Sequence, residues 1–412
     1  MRPGRFALSI EYLVFDGVEA PLKLDGVPQL IETIDCVLRN WPYRLVSVPP
    51  KEPPFFSLSS THRPDRYNCE DHIGETEPRR LDQVNAICDL VSALPRALTD
   101  ADDTLICLHA AAVAINGRLI VFPNTRRSGK STLTAALAHA GHTVFSDDVL
   151  PIYFDRNRNA FGVAMGVLPR LRLPLPGHFN EDFLKWTKSA ASVENKQYRY
   201  LSLEGQPKFG EALPIDGIAI LDRQEDQVQA RLDEVSADAA MDVLLYQNFT
   251  RDRHSADVLQ SISGFLSRKP TFRLRFSDLA DAVGCLEKAF DAHPRTLPRV
   301  AKNKAKPFRK ANLTSPISLA DVSGVRVQKR KGTFEKMIGP TLYLADADGR
   351  AIHRIDALSS AIWEMLAEPV LASDLEQALA EAFPDVPQKR ISDDVAVLLK
   401  KLTEVGLAEY GQ

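Results

Sequence analysis

Between residues 108 and 152 the spacing of apolar positions changes twice. A β-branched run from Leu119 to Phe122 reads as a buried strand, and an Ala/Leu-rich stretch from Thr132 to Ala140 has helical character. Gly141 follows at the position where helices stop. A second apolar run, His142 to Phe145, leads into the adjacent acids Asp147 and Asp148. Strand, loop, helix and strand in that order make a phosphate-binding βαβ unit. It would deliver the carboxylates to the end of a neighbouring strand, where open α/β sheets gather ligands.

Before this unit, Phe6–Phe15, Tyr43–Val48 and Phe55–Leu58 are short apolar runs punctuated by Pro, Gly and Asp, and they predict strands and turns. One helix is expected from Asp82 to Leu98, with Asp82 as cap or first-turn acid. After the unit, Pro169 to Pro176 is excluded from helix interiors by its prolines and reads as a loop or edge strand. Ile215–Leu221 and Phe272–Phe276 predict strands. Ala237–Phe249, Ser255–Leu266 and Ser277–Phe290 predict helices, the last capped by Ser277.

From His293 to Pro316 the chain is basic, free of acids and broken by prolines, the pattern of an inter-domain linker. A compact unit follows. Gly324–Lys329, Thr341–Ala345 and Ala351–Ile355 predict a three-stranded meander turning at Asp346-Ala347-Asp348-Gly349. Three helices complete it, the second opened by a Ser373/Glu376 capping box and the third by Ser392.

These boundaries divide the 412 residues into an N-terminal α+β segment (1–107), a nucleotide-type domain (108–292), a linker (293–319) and a C-terminal domain (320–412). A hydrophobic content of 44% and a charged content of 25% are those of a globular protein, and a net charge of -3 gives no global pull toward nucleic acid or anionic membrane. The five cysteines lack metal-ligand spacing, which favours a reducing cytoplasm, and no run is long enough for a membrane span.

The candidate chemistry centres on Asn124-Thr125-Arg126-Arg127-Ser128-Gly129-Lys130-Ser131-Thr132. Backbone N–H groups at a helix N-terminus converge on phosphates, Lys130 would reach the β- and γ-phosphates of ATP, and the Ser131 hydroxyl would ligate Mg2+. Asn124 stands where a first glycine is usual, and Arg127 makes the loop bulkier and more cationic. One of Asp147 and Asp148 would take the proton of an incoming hydroxyl while the other holds metal. Arg170, Arg172, Lys196 and Arg199 are further candidates for phosphate or substrate contacts.

Leu108-His109-Ala110-Ala111-Ala112, the strand into SGKST, Gly141-His142 and Ser146-Asp147-Asp148 together resemble the catalytic domain of HPr kinase/phosphorylase and its relatives. The resemblance implies an α/β P-loop kinase of HPr-kinase type that transfers the ATP γ-phosphoryl group to a serine-type hydroxyl. It makes Asp147 the general base with His109 nearby, and gives Asp148 a part in metal binding with Ser131. The family carries a later glutamate; Pro169 to Arg172 offers arginines there, and phosphorylase activity is not implied.

Thr341-Leu342-Tyr343-Leu344, Ile352-His353-Arg354-Ile355-Asp356, Ala361-Ile362-Trp363-Glu364-Met365-Leu366 and Leu398 to Glu409 resemble PqqD and related peptide-recognition domains. That implies a winged-helix-like fold capturing a leader peptide as an extra strand beside residues 351–355, with Ile352, Arg354, Val395 and Leu398 in contact. Acids at the start of the third helix disfavour DNA as partner. The expectation is a kinase of a ribosomal precursor peptide, with homo-oligomerisation open. A nucleotide-responsive peptide chaperone and a kinase of a small metabolite or amino acid also remain open.

Overall fold

The computed structural model describes residues 10–74, 77–123, 128–226, 229–290, 299–300, 304–313 and 326–410. It is a mixed α/β chain that divides into two compact units. The first comprises 1–235, 243–250 and 268–307; the second comprises 236–242, 251–267 and 308–412.

The first unit begins with β1 (Ile10–Phe15), β2 (Leu22–Asp25), α1 (Gln29–Val37), β3 (Tyr43–Val46), β4 (Phe56–Ser60), β5 (Tyr67–Asp71) and β6 (Arg79–Leu81). The strands form a sheet in the order β3-β1-β2-β4-β5-β6. α2 (Gln83–Ala101) starts at Asp82, whose carboxylate accepts the Asn85 N–H at 3.1 Å, the cap that the sequence predicts. Its apolar stripe joins Leu13, Phe15 and Trp41 in one core.

β7 (Leu105–Ile115) is buried almost throughout because it lies inside the second sheet, which explains its unbroken apolar run. It is followed by β8 (Arg118–Pro123), α3 (Lys130–His139), β9 (Thr143–Ser146), β10 (Val149–Phe154) and β11 (Ala160–Val163). β8 pairs antiparallel with one edge of β7, and β9 and β10 both pair antiparallel with β7 as well. Ser146 is opposite Ala112 and Val149 opposite His109, so β9 and β10 are one line of chain interrupted at Asp147-Asp148. The acids therefore sit just past the end of β9, where the spacing places them, and β10 resumes the same line of chain after them.

Next come β12 (Arg170–Arg172), α4 (Glu181–Ser189), β13 (Ala191–Glu194) and β14 (Tyr198–Leu201), with the small sheet order β12-β14-β13. β15 (Glu211–Arg223), β16 (Arg231–Glu234) and β17 (Thr271–Phe276) extend the large sheet; β15 is parallel to both β8 and β17. α5 (Ala237–Gln247) and α6 (Ser255–Leu266) intervene before β17, and α7 (Leu279–Ala289) follows it. Asp278, not Ser277, caps α7 by accepting the Asp281 N–H at 2.9 Å. A short β18 (Arg299–Val300) pairs with β15.

In the second unit, β19 (Arg326–Lys329), β20 (Phe334–Ile338), β21 (Thr341–Ala345) and β22 (Ile352–Ile355) precede α8 (Ala357–Met365), β23 (Val370–Leu371), α9 (Ala372–Ala382), α10 (Gln388–Glu404) and β24 (Ala408–Tyr410). Two three-stranded sheets result, β23-β19-β24 and β20-β21-β22. The apolar pattern does not predict β20, because most of its residues are exposed or half-buried. The Ser373/Glu376 box does not form. α9 starts two residues earlier, with Leu371 at the cap position, the Leu371 N–H donates to Asp374 at 3.4 Å, and Glu376 instead accepts the Ser392 hydroxyl. α10 starts at Gln388 after Pro387 and so absorbs Ser392 into its second turn.

Residues 237–242 and α6 belong to this second unit, where Tyr343 Oη donates to Asp242 Oδ1 at 2.7 Å and Thr341 Oγ1 to Asp238 Oδ2 at 3.0 Å. Of the expected linker, residues 293–298, 301–303 and 314–319 lie outside the described residues. In the described part Lys304 pairs with Asp102 in the first unit, and Arg309 with Asp257 in the second.

Gly166 shows how the N-terminal sheet fixes the segment leading to Arg170. Its φ is +70°, and a Cβ there would lie 2.5 Å from the carbonyl of Asn40. The Asn40 N–H donates to the Gly166 carbonyl at 3.3 Å, and the Leu168 N–H to that of Val37 at 2.9 Å. Backbone cannot yield as a flexible side chain can, so Gly166→Ala is expected to cost about 1–3 kcal/mol or more. Chemical denaturation measures it, with Gly177→Ala, where the added Cβ meets nothing within 4 Å, as the control.

Candidate active site

Gly129 adopts φ +84° and caps α3, and the next residue, Lys130, turns inward with only 6% of its surface exposed. Its Nζ donates to Asp148 Oδ1 at 2.9 Å. His109, opposite Val149 in the β7–β10 register, brings Nε2 to within 2.6 Å of the same oxygen. Arg170 Nη2 lies 3.7 Å from Asp148 Oδ2. Three cationic or ionisable nitrogens thus gather on one carboxylate.

Asp147 has a different environment. Its Oδ2 accepts the Arg170 backbone N–H at 2.9 Å, while Oδ1 is buried without a hydrogen-bond partner. The Ser131 hydroxyl lies against this carboxyl. The interruption between β9 and β10 lets both adjacent acids face one region, which a regular strand would prevent. Ser146 braces the turn: its hydroxyl donates to the Val149 carbonyl at 2.6 Å.

The two carboxyls are driven apart. Burial pushes the Asp147 carboxyl up, and the charge of Asp148 adds to this against the opposing effects of Lys130 and the Arg170 N–H. Burial acts upward on Asp148 too, but the His109 hydrogen bond and the charge of Lys130 outweigh it and hold Asp148 well below the usual carboxylate range. Paired titratable groups separated in this way are typical of sites that move protons.

Mg2+ takes oxygen ligands, usually one or two carboxylates with substrate phosphates and water. Ser131 Oγ beside Asp147, whose Oδ1 is buried and unpartnered, fits such an ion. Among the described residues no cluster of three or more His, Cys, Asp or Glu side chains forms a metal site.

Other sequence candidates are placed as follows. Asn124, Thr125, Arg126 and Arg127 lie outside the described residues. Ser128 is buried and Ser131 and Thr132 are half-buried at the start of α3. Of the four cations expected near phosphate, Arg170 reaches the acids. Arg172 and Lys196 are exposed, and Arg199 is committed to Glu194 at 2.6 Å and to Thr187. Sequence reasoning misses Tyr198, Tyr200 and Cys88, which surround the Arg170 side chain. Along the chain Cys88 only fills an apolar position of the α2 stripe.

In the second unit, Leu342 and Leu344 face the helical core, and their register partners Ile355 and His353 share that face. Ile352 and Arg354 therefore point to the opposite face, where Arg354 pairs with Asp242 at 3.2 Å. Val395 is buried in the helical core and Leu398 is half-buried against it. The four expected peptide contacts are thus split between two faces, which period-two alternation could have shown. β22 is an edge strand of its sheet.

A family model described as Coenzyme PQQ synthesis protein D (PqqD) matches residues 342–408. Among solved structures, the Hpr(Ser) kinase/phosphatase from Coxiella burnetii is similar over 44% of this chain and 95% of its own, at 12% identity and a TM-score of 0.25. No curated protein matches the chain. No helix among the described residues is long and apolar enough to cross a membrane.

The raised Asp147 carboxyl has a consequence for stability. Because the folded state holds this proton more tightly than the unfolded chain, stability falls as pH rises from the unfolded value of about 4 through the folded one. Asp147→Asn keeps the Arg170 N–H acceptor and removes the buried charge. It is expected to raise the melting temperature near pH 8 by a few degrees, roughly 2–4 °C per kcal/mol, and the gain should shrink toward pH 4. An unchanged or lower melting temperature at pH 8 would contradict this account of Asp147.

Proposed function

We propose that the chain is an ATP- and Mg2+-dependent kinase that phosphorylates a Ser- or Thr-type hydroxyl on a ribosomally made precursor peptide held by its PqqD-type segment. The observation that carries this reading is the convergence of Lys130, His109 and Arg170 on Asp147-Asp148 beside a helix N-terminus capped by a left-handed glycine. Phosphoryl transfer asks a protein mainly for positioning and charge, and this site is built from both.

The nucleotide phosphates would lie over the N-terminus of α3, where backbone N–H groups and Lys130 stabilise their charge. The acceptor oxygen bonds to the γ-phosphorus as the bond to the β–γ bridging oxygen breaks, and ADP leaves. The acceptor hydroxyl would donate to Asp148, which His109 orients through their hydrogen bond, and its proton would pass to this weakly basic carboxylate only late, once bonding to phosphorus has made the hydroxyl acidic. Asp147 and Ser131 would hold Mg2+, which would supply positive charge to neutralise the nucleotide phosphates. This division reverses the one implied by motif resemblance, because each acid's role follows its partner: His109 stands with Asp148, and Ser131 with Asp147.

The PqqD match and the edge position of β22 support a peptide as substrate. A leader added as a strand there gains main-chain hydrogen bonds, and its alternate side chains meet the two faces of the sheet. Capture at one part of the chain raises the local concentration of the acceptor segment to about millimolar, so a weak acceptor subsite suffices.

Labelled ATP and a short peptide encoded beside the gene test the reading. Lys130→Ala and Asp148→Asn are each expected to lower transfer by about 100-fold or more. Leu398→Glu should raise the KM for peptide by about tenfold while kcat stays within about twofold, the signature of lost uniform binding. Transfer that survives Lys130→Ala sinks the mechanism.

A further inference from the structure

The structure assigns Arg170 a specific role, that of reading the terminal phosphate of the nucleotide, its guanidinium exchanging Asp148 for that phosphate within a cradle made by Tyr198, Tyr200 and Cys88. The assignment rests on the nucleotide-binding reading above and adds the residue that distinguishes a triphosphate from a diphosphate.

Two separate attachments fix Arg170. Its backbone N–H donates to Asp147 Oδ2 at 2.9 Å, which sets the position of the residue independently of its side chain. The side chain then passes beneath Tyr198, with the guanidinium carbon 4.6 Å from the ring centroid. Opposite Arg170 across the β12–β14 pairing stands Tyr200, fully buried, whose hydroxyl donates to Cys88 Sγ at 3.3 Å. The guanidinium lies against both of these groups. Stacking and edge contacts of this kind suit a planar guanidinium and not an ammonium.

What the cradle leaves loose is the end facing Asp148. At 3.7 Å the Arg170–Asp148 approach is an ion pair without a hydrogen bond, whereas Lys130 and His109 are within 2.9 and 2.6 Å of the same carboxylate. A guanidinium carries five donors, and a thiol and a phenol are weak acceptors for it. A phosphate offers the charge-assisted bidentate acceptor that this geometry lacks. With Lys130 on one side and Arg170 on the other, cationic groups would flank the oxygens that gain charge during transfer. Helix α2 of the N-terminal segment supplies Cys88, so that segment forms part of the site as well as covering the core.

The test uses the full chain and calorimetric titration with Mg2+ and either a non-hydrolysable ATP analogue or ADP. Arg170→Gln is expected to weaken the ATP analogue by about tenfold or more and ADP by less than about twofold. Arg170→Lys should recover only part of the loss, and Tyr198→Ala, which leaves Arg170 in place, should shift the preference in the same direction. Should Arg170→Gln fail to melt cooperatively, Tyr198→Ala decides the question. Equal losses for both nucleotides, or no loss, would overturn the assignment and leave the nucleotide reading intact. A wild-type chain with affinity for neither would overturn that reading and this inference with it.

Discussion

An ionised carboxylate shared by a lysine and an imidazole is costly to bury unless each partner is held in place, and the architecture around Asp148 follows from that constraint. Lys130 comes from the first turn of α3, His109 from the middle of β7, and Arg170 from the edge strand β12. Removing one partner would leave charge uncompensated in a partly buried setting. The break between β9 and β10 is what allows the arrangement, because an unbroken strand would have sent Asp147 and Asp148 to opposite faces of the sheet.

The parts of this site that are legible in the sequence are those governed by neighbours in the chain. Gly129, Lys130 and Ser131 announce themselves by spacing, Asp82 by its place before an apolar stripe, and Gly141 by its place after one; its φ of +93° is what a helix stop requires. What stays hidden depends on long-range pairing. No local pattern says that β9 and β10 share an edge of β7, or that His109 would face Asp148 and not Asp147. Likewise the Ser373 box is a sound local expectation, overridden because Glu376 finds the Ser392 hydroxyl on α10. Cap chemistry competes with tertiary contacts, and sequence alone sees only one competitor.

The second unit carries the same lesson at larger scale. Residues 320–412 read as a self-contained domain, yet the unit that contains the PqqD match also includes 236–242 and α6. One face of the β20-β21-β22 sheet packs on α8 and its neighbours. On the other, Tyr343, Thr341 and Arg354 bind the acids Asp238 and Asp242. Buried hydroxyls need such acceptors, so the sheet would lose hydrogen-bond satisfaction if the C-terminal segment were cut away by sequence boundary. The unit that carries the PqqD match is therefore made from two stretches of chain far apart in sequence.

Charge supply is where this chain departs furthest from the family pattern it resembles. The stretch from Pro169 to Arg172 offers no glutamate, and the sequence leading into α3 carries Arg126 and Arg127 in addition to Lys130. A second acidic metal ligand and an arginine can serve the same electrostatic end, since both place positive charge beside the transferring group, one through a bound ion and the other directly. The direct route needs rigid support, because a flexible cation loses entropy on engagement. Tyr198, Tyr200 and Cys88 provide that support to Arg170, and they come from β14 and α2, elements whose sequences show only burial. The arginine at position 170 thus becomes intelligible once the residues that hold it are seen with it.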